Sequence, residues 1–357
     1  ILDTLNQVRE TLIYKHNGLF LDLVETLINK VEVFGLHFAS LDLRQDSTVH
    51  TKITEELAAK TSTLPADYVE LSAPEKIKAL LNVTATADPA VLENDVHRDT
   101  LTVMATLKQI QAANGEEGCD RYIISQCNSA LNAMEVYGLF LMSGWKAEEL
   151  NVDIVPLFET VDDLKNAKAI MEELYTLPQY RIHLHRRKNK QTIMLGFSDG
   201  TKDGGYLMAN WSIYKAKEEL TKISRQYGVS VVFFDGRGGP PARGGGKTHK
   251  FYASLGKNIA NEEIQLTIQG QTVSSNFGTI DSAQFNIEQL INAGISNDLF
   301  ASQKLALKDS EKELIQKLSE ISFDAYTELK NHPYFLEYLG HASPLRFYAE
   351  TNIGSRP

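Results

Sequence analysis

Two arginines and six glycines share one short stretch of this chain, Asp235-Gly236-Arg237-Gly238-Gly239-Pro240-Pro241-Ala242-Arg243-Gly244-Gly245-Gly246. Glycine permits positive φ and close backbone approach to a ligand, while a guanidinium forks onto the oxygens of a phosphate or carboxylate. Arg237 and Arg243, carried with Gly236, Gly238, Gly239, Gly244, Gly245 and Gly246, are therefore expected to cradle an anion. An apolar run, VVFFD, delivers this stretch and a helical segment, KFYASL, follows it, which argues against an idle surface loop.

A carboxylate closes each of two further apolar runs. Val155-Pro156-Leu157-Phe158 leads to Glu159, and Met194-Leu195-Gly196-Phe197-Ser198 leads to Asp199, with Lys202 and Gly204-Gly205 just beyond. Mg²⁺ and Mn²⁺ are commonly held by one or two carboxylates, water and substrate oxygens completing the shell. Glu159 and Asp199 would suffice as metal ligands, and Lys202 would add an ammonium donor beside them. Asp199 also has the position of a helix N-cap, a role compatible with ligation, and Glu159 taken alone is equally an ion-pair partner. In Leu41-Asp42-Leu43-Arg44-Gln45-Asp46-Ser47, a strand hands Arg44 to a polar turn, where it either meets a ligand or pairs with Asp42 or Asp46.

Three other features carry less. Gly246-Lys247-Thr248 has the ending of a nucleotide-binding P-loop, but Pro241 stands where that motif needs its first glycine. His183-Leu184-His185 has strand spacing for two ligands yet precedes its strand, which would place it on the structural end of a barrel. The cluster Arg186-Arg187-Lys188 shares that location and reads as a solvated turn.

Strands and helices alternate around these residues. Strands are expected at LHFASLDLR, YIISQC, DIVPLFE, TIMLGFSD, VSVVFFD and IQLTIQG, with helical segments between them. In DDLKNAKAIMEELYTL, residues Leu164, Ala167, Ile170, Met171 and Leu174 fall on one helical face, and another helix is expected from Tyr206 to Leu220. Such an order suits either a barrel or an open doubly wound sheet. The polar clusters gather at strand C-terminal ends, after Arg44, Glu159, Asp199 and Phe234, and a barrel collects many such ends around one centre. A helix-rich α/β barrel is the resulting expectation, with residues 1–36 a helical lead-in, 37–280 the strands and loops, and 281–357 a helical elaboration.

Composition narrows the function classes. The 357 residues carry a net charge of −10 and no long basic run, which disfavours a nucleic-acid or anionic-membrane surface. An anionic ligand would have to be held by local cations. Cys119 and Cys127 are too few for a disulfide framework and read as free thiols in a reducing cytoplasm. Apolar runs fall short of the roughly 20 residues that span a bilayer. The chain opens at Ile1 without an initiator Met and closes at Pro357 after Gly354-Ser355-Arg356, so an origin within a longer polypeptide is expected.

Taken in order, FGLHFASLDLRQDS, VPLFE, GFSDGTKDGGYLMANW, GRGG followed by RGGG, IQLTIQGQ and NIGSRP resemble phosphoenolpyruvate carboxylase along nearly the whole chain. The resemblance implies a TIM-like (β/α) barrel with many added helices, of which this chain holds about six of the eight strands. It implies a cytoplasmic, homotetrameric parent enzyme that uses Mg²⁺ or Mn²⁺ to join phosphoenolpyruvate and bicarbonate into oxaloacetate and phosphate. Glu159 and Asp199 match the metal ligands, and Arg44, Lys202, Arg237, Arg243 and Arg356 match basic residues of the active site. The sequence departs from the family pattern at Asp235, where many relatives have histidine, and at Gln271, where glutamate is usual. It also lacks the Thr-Ala-His-Pro motif that carries the catalytic histidine and the C-terminal region that completes the barrel, so the isolated chain is expected to have no turnover. A helical interaction scaffold is the alternative from another class, but a scaffold has no reason to keep both carboxylates and both loop arginines.

Overall fold

In a computed structural model of the chain, residues 1–238, 246–268, 270–300 and 306–348 are described. Strands β1 (Asp42–Asp46), β2 (Arg121–Ser125), β3 (Asp153–Phe158), β4 (Lys190–Leu195), β5 (Ser230–Gly238) and β6 (Ile264–Ile268) follow one another in chain order across one sheet. The pairs β1–β2, β2–β3 and β5–β6 are parallel. Doubly wound sheets reverse their strand order at a switch point, whereas a barrel adds each strand beside the last. The order without reversal therefore selects the barrel type, and the fold is a helix-rich α/β partial barrel.

Burial explains why the middle strands form. From its second residue onward, each of β3 and β4 is continuously buried, as expected for parallel strands covered on both faces. β1 is shorter than its apolar sequence suggests, because Leu36 to Ser40 are not strand. Phe38 takes a left-handed φ of 64°, and the Ser40 hydroxyl donates to the Glu117 carbonyl at 2.5 Å. Only at Leu41, whose N–H donates to the Gly118 carbonyl, does the backbone begin to align with its neighbour.

Chain contacts divide the molecule into two compact units, one of residues 1–157, 170–193 and 227–230, the other of 158–169, 194–226 and 231–357. In the first, helices Ala73–Leu81 and Ala130–Met142 pack so closely that a Cβ at Gly138 would lie 2.6 Å from Leu80. Arg186 and Lys188 are exposed at the turn after helix Pro178–Arg186, but Arg187 within it pairs with Asp153 at the start of β3 and with Asp120 at 3.0 Å, and so anchors the N-terminal ends of strands. His183 and His185 lie on helix Pro178–Arg186, where only His183 is buried, so they do not share a face.

In the second unit the predicted helix after β4 has a precise start. Helical hydrogen bonding runs from Phe197 to Gln226 but is interrupted at Gly205, with φ 78° and ψ 167°, so a second helical piece begins at Tyr206. That piece joins helix Asp309–Lys330 through Trp211 Nε1, which donates to Gln316 at 2.7 Å, and a Lys312–Glu218 ion pair at 2.6 Å. Helix Ile280–Leu299 is tied to helix Thr248–Ser254 by Asn297, which donates to the Tyr252 carbonyl at 2.7 Å. The apolar face of helix Val161–Thr176 is as patterned: Leu164, Ala167, Ile170, Met171 and Leu174 are all buried.

One buried acid makes the first unit sensitive to pH. Desolvation pushes the Glu135 carboxyl up to about 7, against the hydrogen bonds it accepts from Thr51 and Asn132. The folded state thus prefers the neutral acid: the stability this gives is present below the unfolded value of 4.5 and is lost as pH rises through 7. Glu135→Gln should be near neutral at pH 4.5 and stabilising at pH 8 by roughly 3 kcal/mol, at about 1.36 kcal/mol per unit. Parallel melting profiles for the two proteins from pH 4.5 to 8 would show instead that Glu135 is accommodated as a carboxylate.

Candidate functional site

Glu159 is the first residue beyond β3, and its backbone is firmly held. The N–H groups of Glu159 and Thr160 donate to Asp163 Oδ2 at 3.2 and 3.0 Å, and Val161 N–H donates to Asp203 Oδ2 at 3.0 Å. These carboxylates satisfy the exposed donors at the start of helix Val161–Thr176. Just past β4, Gly196 N–H donates to the Phe158 carbonyl at 2.9 Å. The approach there is tight: a Cβ at Gly196 would lie 3.1 Å from both Cα and Cγ of Glu159, and one at Gly200 would lie 3.3 Å from the Glu159 carbonyl oxygen.

Asp199 precedes Gly200, so the ends of β3 and β4 bring both candidate metal ligands to the same edge. It is neither the last residue of a strand nor an N-cap, because β4 stops at Leu195 and the helix begins at Phe197. Its place in the first helical turn still favours an anion through the helix dipole. Lys202 Nζ donates to Asp199 Oδ1 at 2.5 Å, one helical turn on, and this pair is partly exposed. The far side of the turn is fastened by helix Asp309–Lys330: Tyr326 OH donates to the Lys202 carbonyl at 2.8 Å and Lys330 Nζ to the Asp203 carbonyl at 2.7 Å.

Asp235 and Arg237 belong to β5 itself and not to the loop after it, with a register irregularity against β6 between Asp235 and Gly238. Gly236 is pressed against the Leu195 carbonyl, 3.1 Å from where a Cβ would be. The Arg237 guanidinium is buried, lies 4.2 Å from the Phe251 ring centre and 5.5 Å from that of Phe197, and hydrogen-bonds to Tyr206. Burial pulls its pKa down, and the charge of Asp235 and the Tyr206 bond oppose that pull. Gly246, at φ 128°, would carry a Cβ 3.7 Å from Arg237 Nη2, so the end of the glycine stretch returns to this guanidinium.

Arg44 lies in the middle of β1, exposed, and not at a strand end as its sequence position suggested. The flanking acids are otherwise engaged: Asp42 pairs with Arg121 at 2.6 Å and Asp46 caps helix Ser47–Lys60 through Thr48 N–H at 2.9 Å. Gly238 ends β5, while Gly239, Arg243, Gly244, Gly245 and Arg356 lie outside the described residues. Sequence reading overlooked Asp163, Asp203, Tyr206, Lys217, Phe251 and Tyr252. A signal existed for Lys217, which falls on the stripe of Ile213, Ala216 and Leu220 and is buried with them.

These donors fit a hard divalent cation. Among the described residues no group of three or more His, Cys, Asp or Glu could close around a metal, so the protein would offer the carboxylates of Glu159 and Asp199 and leave the remaining positions to water and substrate. That is the usual division of labour for Mg²⁺ and for Mn²⁺ in oxygen sites. Among the described residues no helix is long and apolar enough to cross a membrane.

The phosphoenolpyruvate carboxylase family model matches residues 1–357. The phosphoenolpyruvate carboxylase of Nitrosomonas eutropha is 33% identical over 354 residues, covering 96% of this chain and 38% of the relative. That of Gloeobacter violaceus is 33% identical over 342 residues, covering 94% of this chain and 36% of the relative. The chain belongs to the phosphoenolpyruvate carboxylase family and spans little more than a third of the length of these relatives.

The contact between Glu159 and the end of β4 can be tested without any ligand. Gly196→Ala should destabilise the protein by about 1–3 kcal/mol, because backbone and side chain of Glu159 must both yield. Gly294→Ala, at a helical position with open space around it, should be neutral or stabilising by up to about 1 kcal/mol. Equal denaturation midpoints for Gly196→Ala and wild type would refute the close approach.

Proposed function

We propose that the polypeptide carrying this chain joins phosphoenolpyruvate and bicarbonate into oxaloacetate and phosphate, a carbon–carbon lyase activity of the family to which the chain belongs. The observation that supports this most is the junction of Glu159 with the Asp199–Lys202 turn at the ends of two successive strands. Glu159 and Asp199 would hold Mg²⁺ or Mn²⁺, which supplies Lewis-acid neutralisation of phosphate and enolate charge when bound.

The side chains supply the rest. Arg237, desolvated among Phe197, Phe251 and Tyr206, would fork onto phosphate or carboxylate oxygens of the substrate, where a buried guanidinium is worth more than one in water. Lys202 would turn between Asp199 and the substrate oxygens, and Arg44, Arg243 and Arg356 would add further positive charge. Transfer of the phosphoryl group to a bicarbonate oxygen breaks the enol–phosphate bond and leaves an enolate. The resulting carboxyphosphate releases phosphate and carbon dioxide, and the enolate carbon attacks the carbon dioxide to form the new bond. Phosphoryl transfer of this kind calls for positioning and charge neutralisation more than for covalent help, and the wall of Phe197 and Phe251 would limit water while carbon dioxide waits. A cytoplasmic homotetramer is the proposed setting.

Full-length enzyme should release phosphate from phosphoenolpyruvate only with bicarbonate present, with equal oxaloacetate detected by coupled reduction. Arg237→Gln and Lys202→Gln should each lower kcat by about 10²-fold, as removal of a transition-state donor does. Glu159→Gln and Asp199→Asn should each weaken Mn²⁺ binding roughly tenfold or more, about 1.4 kcal/mol. Residues 1–357 alone should show no turnover. Phosphate release by full-length enzyme without any carboxylated product would defeat the assignment.

A further inference from the structure

Behind Arg237 lies a set of charges that the proposed chemistry does not use. Lys217 and Asp235 are 1% and 0% exposed. Lys217 Nζ and Tyr252 OH both donate to Asp235 Oδ2, each at 2.7 Å, while Asp235 Oδ1 is buried without a hydrogen-bond partner. Lys217 also lies 4.9 Å from the ring centre of Phe233, 5.2 Å from that of Phe251 and 5.7 Å from that of Tyr252. Phe251 therefore faces two cations, since Arg237 lies 4.2 Å from the same ring centre. Edge-on contacts to Phe197 and Tyr252, at 5.6 and 5.2 Å, fix that ring.

Lys217 and Arg237 are both set against Phe251, and Asp235 stands only two residues from Arg237 on β5. A carboxylate so close, in low dielectric, is the natural competitor of any anionic ligand for that guanidinium. Lys217 and Tyr252 both donate to one Asp235 oxygen and so hold the carboxylate to themselves.

Resting on the carboxylase reading, we propose that Lys217 and Tyr252 are positioning residues that retain Asp235, so that Arg237 is directed to the phosphate or carboxylate of the substrate and not to its own strand neighbour. A purely structural ion pair would behave differently. Breaking it from either side leaves a buried unpaired charge and destabilises the protein alike, and any effect on ligand would run in the same direction. Retention of Asp235 requires opposite effects, because loss of the lysine frees the competitor whereas loss of the carboxylate charge removes it.

The test is the dissociation constant of phosphoenolpyruvate with saturating Mn²⁺, measured by calorimetry on full-length enzyme well below each variant's melting point. Lys217→Met should weaken binding about fivefold or more, and Asp235→Asn should leave it unchanged or tighten it, for a charge pair of this proximity. Lys217→Arg should keep wild-type affinity by keeping a cation on Asp235. Should Lys217→Met fail to fold, Tyr252→Phe, which removes one donor and keeps the ring, should weaken binding about twofold to threefold. Loss of affinity in Asp235→Asn comparable to that in Lys217→Met or Tyr252→Phe would overturn the proposal. Turnover of the wild-type enzyme, assayed in parallel, separates this outcome from failure of the carboxylase reading itself.

Discussion

Everything at the candidate site depends on how closely the backbone after β4 approaches the end of β3. Gly196 lies so close to Glu159 that a methyl group would crowd it, and its N–H is spent on the Phe158 carbonyl. With that contact in place, the first helical turn after β4 must carry Asp199 to the edge where Glu159 stands. Lys202, bound to Asp199, offsets negative charge at that edge, and in the proposed reading a divalent cation would offset it more strongly.

The turn bearing Asp199 and Lys202 is held by more than local bonding. Gly205 interrupts the helix at a positive φ, and helix Asp309–Lys330 fastens the backbone just before that break through Tyr326 and Lys330. A Cβ at Gly204 would strike Val161 at 2.6 Å and one at Gly205 would lie 3.2 Å from Tyr326, so the glycine pair admits both neighbours at once. Residues more than a hundred positions downstream thus set the orientation of the lysine. The late helices, read from sequence as elaboration, act here as a clamp.

Much of the architecture is legible because buried parallel strands are apolar, and YIISQC, DIVPLFE, TIMLGFSD, VSVVFFD and IQLTIQG each overlap one, with ends displaced by a few residues. Errors arose where an apolar residue had another duty. Phe38 looks like strand but adopts a left-handed turn, and Phe197 looks like the continuation of β4 but begins a helix and packs on Phe251. The flanking glycines point to a loop at Arg237, whereas β5 continues through Gly238 with an irregularity that sequence does not reveal. Lys217 is the converse case: its place on the stripe of Ile213, Ala216 and Leu220 hints at burial, but a lysine on a helix is usually solvated, and the partner that makes burial possible, Asp235, is eighteen positions away on a strand.

The overall charge of the chain opposes the proposed ligands, so attraction must be local. A net charge of −10 spread over a solvated surface is screened within about 8–10 Å at physiological salt. Arg237 and Lys217, by contrast, sit among Phe197, Phe233, Phe251 and Tyr252, where water is excluded and ring faces stabilise cations. Screening by salt is weak there, and the ring faces offset part of the cost of burying both cations.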